Sequence, residues 1–262
     1  MFFLVVFVGI LSCDSGEKYR NEIVKPVLEV EKVNDIQNEI DKIYSMLIYS
    51  LVYLDWQSDT IPRENRRGYN IGALIVDKNN VPVFYDLNCI NSTENATQHG
   101  ELRAITRYLE KTRSFNLDGY TLYTTLEPCI MCAGMMTMTS VKRVIYGQRD
   151  VDYSKSFERL AIDTRPIGGF PPYPRKVIAS ASETEYCKNL DSAYSQFLDQ
   201  CEEKVLAKFL SGERAFFIFK KAYEDFNSYK VNYQENLSIL ASAKAFLEQN
   251  SNSNGNQEKI SK

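Results

Sequence analysis

Between Ile36 and Leu198, short apolar runs of strand length alternate with amphipathic segments of helical period, and that alternation leaves few architectures open. Ile36, Ile40, Ile43, Leu47 and Leu51 recur at helical spacing and predict a first helix ending near Leu54. Ile71–Asp77 (IGALIVD) reads as a buried strand, and Lys78-Asn79-Asn80 turns it into a second strand near Val81–Leu87. His99–Thr112 is helical, Tyr120–Leu126 a strand, Cys129–Ser140 a helix and Lys142–Gly147 a strand. A loop bearing Pro166, Pro171, Pro172 and Pro174 precedes a strand at Val177–Ser180, and helix resumes near Glu183. The pattern is that of a three-layer α/β domain.

A chain of 262 residues, 44% of them hydrophobic, can build one ordinary core with appendages. A net charge of −3 without a dense basic stretch argues against a strongly basic nucleic-acid binder. Arg63, Arg66 and Arg67 form a tight basic cluster, read as a surface loop, with a phosphate contact as the alternative. The single histidine, His99, excludes every site that needs two, the HExxH zinc helix included.

Two segments carry chemistry. His99-Gly100-Glu101 opens one helix, and Glu127-Pro128-Cys129-Ile130-Met131-Cys132 takes a strand into another. Cys129 and Cys132 share a helix face, and Pro128 falls at the first turn, where its missing N–H costs nothing. The positive end of the helix favours thiolates. One imidazole and two thiolates give His99, Cys129 and Cys132 as ligands for one Zn2+ per chain. The fourth tetrahedral position is left for a catalytic water, the mark of a catalytic rather than a structural site. Glu101 is not needed for coordination, and a carboxylate there can take a proton from that water and return it to a leaving nitrogen. The order H-x-E, then P-C-x-x-C, is the signature of zinc nucleobase deaminases.

The stretch Tyr120–Arg149, YTLYTTLEPCIMCAGMMTMTSVKRVIYGQR, resembles tRNA adenosine deaminases and fungal-type cytosine deaminases. Its EPCxMCAG segment is equally similar to guanine deaminases. Ala96–Glu101 is similar to the fungal-type version, which also has Gly between His and Glu; the tRNA enzymes usually have Ala there. Asn88, eleven residues before His99, stands at the family spacing of an asparagine that contacts the substrate. The resemblance covers Ile36 to Leu198 and is firm from Gly72 to Tyr146. It implies the cytidine-deaminase-like fold, a five-stranded mixed sheet with helices on both faces, here followed by a C-terminal helical extension. It also implies backbone groups near Gly72, Ala73, Glu127 and Pro128 lining the pocket. The chain after Arg149 is the least family-like part; there Phe157 or Tyr153 is either a side chain stacked on a base or a core residue, and Tyr173 is a weaker stacking candidate. The implied reaction is hydrolytic deamination of a small cytosine- or guanine-like nucleobase or nucleoside. Deamination of adenosine in tRNA is the alternative, and a zinc-binding lipoprotein with a non-catalytic role is the reading of another class. Relatives usually form homodimers.

Residues 1–12 read as a signal peptide, because the run MFFLVVFVGIL is shorter than the ~20 apolar residues that span a bilayer. Ile10-Leu11-Ser12-Cys13 resembles the lipobox of bacterial lipoproteins. That resemblance implies lipidation of Cys13 and a membrane-anchored protein facing outside the cytoplasm; otherwise the protein is cytoplasmic. Residues 13–35 then form a tether, 36–211 the deaminase domain, 212–249 the helical extension and 250–262 a disordered tail. Phe216, Phe219, Tyr223, Phe226 and Tyr233, at helical spacing, are expected as a packing face, and Cys89, Cys187 and Cys201 as buried free thiols.

Overall fold

The structure, a computed structural model, describes residues 33–254. The signal-peptide and Cys13 assignments therefore lie outside the described residues. Among these, no helix is long and apolar enough to cross a membrane.

Helix α1 (Asp35–Leu54) starts where the Asn34 side chain accepts the Gln37 N–H at 2.9 Å, satisfying one of the amides a helix start leaves open. Strands β1 (Gly72–Val76), β2 (Pro82–Leu87), β3 (Thr121–Leu126), β4 (Arg143–Gln148) and β5 (Ile178–Ala181) form one sheet in the order β2-β1-β3-β4-β5. β1 is antiparallel to β2 and β3, whereas β3–β4 and β4–β5 are parallel. The expected five-stranded mixed sheet is present, each strand within two residues of its sequence reading.

Two cores sit on opposite faces of the sheet. On one face lie α2 (Gly100–Thr112), α3 (Ile130–Met138) and the short α4 (Ser156–Leu160), packed through Ala104, Ile105, Ala133, Met136 and Phe157. On the other, α1 is covered by α5 (Glu185–Gln200), α6 (Leu206–Ser211), α7 (Glu213–Ser228) and α8 (Leu237–Asn254). Each fully buried Leu or Ile of α1 contributes roughly 1.5–3 kcal/mol by leaving water. Asp41 ties this helix to the sheet by accepting from Tyr123 Oη at 2.7 Å and from both Arg143 terminal nitrogens at 3.2 and 2.7 Å.

The residues after 211 share the α1 core. Phe219 meets Tyr49 at 4.8 Å between ring centroids and Trp56 at 5.3 Å, and Tyr223 meets Tyr53 at 5.1 Å, so the aromatic stripe of α7 is a packing face. The tail expected from residue 250 needs correction: α8 continues to Asn254. Asn250 Nδ2 and Ser251 Oγ bond back to the carbonyls of Phe246 and Leu247, each at 2.7 Å, so these polar side chains find partners within the helix itself.

Candidate metal centre and active site

Two helix N-termini meet on the α2/α3 face. His99 is the N-cap residue of α2 and Cys129 that of α3, each one position before its helix, and Cys132 lies in the first turn of α3. His99 Nδ1 stands 3.7 Å from Cys129 Sγ and 3.6 Å from Cys132 Sγ, and the two sulfurs are 3.7 Å apart. Zinc bonded tetrahedrally to sulfur at about 2.3 Å and nitrogen at about 2.0–2.1 Å requires S–S edges of about 3.8 Å and S–N edges of about 3.6 Å. The donor triangle fits zinc on both counts. With the ligands as bare thiols, the contact with Cys132 pulls Cys129 down to about 4 against the opposing effect of burial, with a further contribution from its bond to His99. Cys132 moves up through the same sulfur contact and its own burial. Zinc held by these residues would take both sulfurs as thiolates.

Glu101, on the first turn of α2, is 3% exposed and burial pushes its carboxyl up. Thr124 Oγ1 donates to its Oε1 at 3.3 Å, and Oε2 lies 3.7 Å from Cys132 Sγ. Ala73 pairs with Thr124 across the sheet, and Gly72 N–H donates to Thr125 Oγ1 at 3.1 Å, so both expected lining residues start the strand beside the one that carries Thr124. A Cβ on Gly100 would lie 3.2 Å from the Asp86 carbonyl oxygen and 3.3 Å from Gly72 Cα, which shows how closely α2 begins against the sheet. Asn88 is 1% exposed, and its N–H bonds to Ile71 O at 2.9 Å, next to Gly72.

This chain matches the family model described as the cytidine and deoxycytidylate deaminase zinc-binding region over residues 58–148. Over 120 residues it is 32% identical to a probable cytosine deaminase of Schizosaccharomyces pombe, an alignment covering 44% of this chain and 72% of that relative. The chain belongs to the cytidine and deoxycytidylate deaminase family. It is also 40% identical over 83 residues to a tRNA-specific adenosine deaminase of Rickettsia felis, 30% of this chain and 56% of that relative. The chain thus spans about half the length of the curated adenosine deaminases it matches. Among solved structures, a guanine deaminase from Bacillus subtilis aligns with 68% of this chain and 82% of that one, at 21% identity and a TM-score of 0.31.

Within this deaminase-family domain the remaining expected residues divide. Glu127 uses its carboxylate on the loop after β4, accepting Lys155 N–H at 2.8 Å and Asp150 N–H at 3.2 Å, and its own N–H donates to the Gln148 carbonyl at 2.8 Å. Phe157 belongs to the α2/α3 core at 7% exposure, the core reading of the two the sequence left open; Tyr153 is 63% exposed. Tyr173 donates to Met138 Sδ. Arg67 pairs with Asp55 at 2.7 Å and Arg66 reaches Ser211 at 3.2 Å, so two members of the basic cluster hold the fold together. Cys89, Cys187 and Cys201 are free, and Cys201 is half-exposed rather than buried. A cavity of about 680 Å³ at the start of α1, with Asp35, Asp41 and Glu183 in its wall, shares no residue with the metal centre. Thr124 was not expected in the site, although Leu122 and Thr124 alternate onto one face of β3 and that period could have shown it.

Proposed function

We propose that this chain is a zinc-dependent hydrolase that replaces the amino group of a small nucleobase or nucleoside, cytosine- or guanine-like, with an oxo group and releases ammonia. The observation that carries this reading is the buried Glu101 carboxylate beside a His/Cys/Cys donor triangle of zinc dimensions. Zinc, when bound, supplies the Lewis acidity that brings the pKa of water close to neutrality. Glu101 takes the proton of the attacking water on its carboxylate and delivers protons to the ring nitrogen and the departing amine. Water adds to the ring carbon bearing the amino group, the C–N bond breaks, and ammonia leaves. Thr124 steadies Oε1 of Glu101 during these transfers, and Asn88 with the backbone of Gly72, Ala73, Glu127 and Pro128 holds the base.

Ammonia release over cytosine, guanine, adenine and their nucleosides tests this reading, with inosine formation in tRNA measured alongside. Turnover of at least one small substrate is expected. Inosine in tRNA alone would favour the second reading, which rests on the identity to the tRNA-specific enzyme of Rickettsia felis. No ammonia from any substrate would leave a binding module. Lipidation of Cys13 is part of the proposal, supported by Ile10-Leu11-Ser12-Cys13. Wild type should then fractionate with membranes and Cys13→Ser should not; two soluble proteins would contradict it.

A further inference from the structure

Asn88 is held from a segment that carries none of the zinc motif. Tyr69 N–H donates to Asn88 Oδ1 at 3.1 Å and Ile90 N–H donates to the same oxygen at 3.3 Å. Arg67 Nη1 donates to the Asn88 carbonyl, and the Asp55 carboxylate fixes the guanidinium from its other side at 2.7 Å. Two backbone N–H groups are served only by the oxygen of an amide, so the orientation of Asn88 is set by its neighbours. Its Nδ2 end has no protein partner among the described residues.

Gly68 makes this arrangement sterically possible. A Cβ at position 68 would lie 2.3 Å from Asn88 Oδ1, 2.6 Å from its carbonyl oxygen and 2.9 Å from its carbonyl carbon. Two of those three atoms are backbone and cannot swing away. The glycines of positive φ in the described chain are Gly119 and Gly168, so conformation does not demand glycine at 68; the space occupied by Asn88 does. Asn88 is also close to the chemistry. Its N–H bonds to Ile71 O at 2.9 Å, and a Cβ on Gly100, between His99 and Glu101, would lie 3.3 Å from that same oxygen.

We propose that Gly68, together with Arg67 and Tyr69, is a positioning residue that locks Asn88 as a hydrogen-bond donor toward the substrate. The site then selects substrates with an acceptor at that point: a ring carbonyl, an unprotonated ring nitrogen or a sugar oxygen. This rests on the reading above in which Asn88 contacts the substrate. Losing one such bond weakens substrate binding about tenfold.

The test is a double-mutant cycle on zinc-loaded enzyme with Gly68→Ala, Asn88→Ala and the pair, with zinc content and a crystal structure of Gly68→Ala as readouts independent of turnover. Gly68→Ala should raise KM about tenfold with little change in kcat or zinc content, and should add almost nothing in the Asn88→Ala background. Asn88→Asp, which keeps the acceptor for Tyr69 and Ile90 but presents no donor, should bind as poorly as Asn88→Ala. An unchanged KM in Gly68→Ala, effects that multiply in the pair, or an Asn88 amide unmoved in the crystal would overturn the proposal. A displaced amide in a protein that deaminates nothing would support the positioning role while refuting the proposed activity. Should Gly68→Ala not fold, Arg67→Met carries the same cycle, because it removes the bond to the Asn88 carbonyl without adding bulk.

Discussion

The side chain on which the proposed chemistry turns, Glu101, is positioned by a residue that performs none of it. Thr124 donates to Oε1 from the centre of β3, and Thr124→Val keeps the shape of the side chain while deleting that bond. At 3.3 Å the bond is long, so the expected loss is about tenfold in kcat, with zinc content unchanged. Steady-state kinetics beside metal analysis checks this; equal loss of zinc would move Thr124 from the proton transfer to the architecture of the metal centre. The ligands were legible in the sequence because their residue types and spacing are dictated by coordination chemistry, and Glu101 because a carboxylate two residues from the histidine suits proton transfer beside such a site. Thr124 and Gly68 act through contacts across the sheet or between loops, which spacing along the chain does not encode. Phe157 stayed open between base and core for the converse reason, since an aromatic side chain has the same appearance in sequence whether it faces a pocket or fills a core, and the structure places it in the core.

The metal centre joins two helices by their first residues, because His99 caps α2 and Cys129 caps α3. Neither side chain makes a capping hydrogen bond to its own helix, so both are left for the metal. Removal of zinc by a chelator should lower Tm, and amide exchange should rise first in the opening turns of α2 and α3. Uniform exchange across the fold would contradict that localisation. On the opposite face, Glu39 of α1 fastens the turn between α7 and α8 by accepting from Asn232 N at 2.6 Å, Asn232 Nδ2 at 2.9 Å, Asn236 Nδ2 at 2.9 Å, Tyr229 Oη at 3.2 Å and Tyr233 N at 3.2 Å. Burial alone would raise this carboxyl, but the hydrogen bonds outweigh it and hold the folded pKa below the usual carboxylate value. A depressed folded pKa contributes stability above the unfolded pKa, and that contribution is lost as pH falls through the folded one. Glu39→Gln should therefore cost about 2–3 kcal/mol near neutral pH and progressively less in acid, read as converging thermal midpoints. A constant gap between the two proteins at every pH would refute the linkage. Hydrophobic period placed α1 to within a residue of its observed bounds, whereas α8 runs past residue 249 through polar residues whose composition reads as a tail.

At the scale of the molecule, the helices after residue 211 complete the core over α1, while the metal centre occupies the other face of the sheet. The chemistry is thus set on one side of a sheet whose other side is fixed by aromatic packing. Truncation at residue 211 should expose Tyr49, Tyr53 and Trp56 and give insoluble protein, rather than a trimmed active domain. The central claim, a hydrolytic deaminase with Glu101 as its proton-transfer group, is tested most directly by ammonia release from wild type and Glu101→Gln, each with zinc content determined, across free bases and nucleosides. The expected result is one zinc per chain in both proteins, turnover by wild type, and a rate lower by about 10²–10⁴-fold in the variant. Comparable ammonia release from both proteins, or none from zinc-loaded wild type on any substrate, would contradict it.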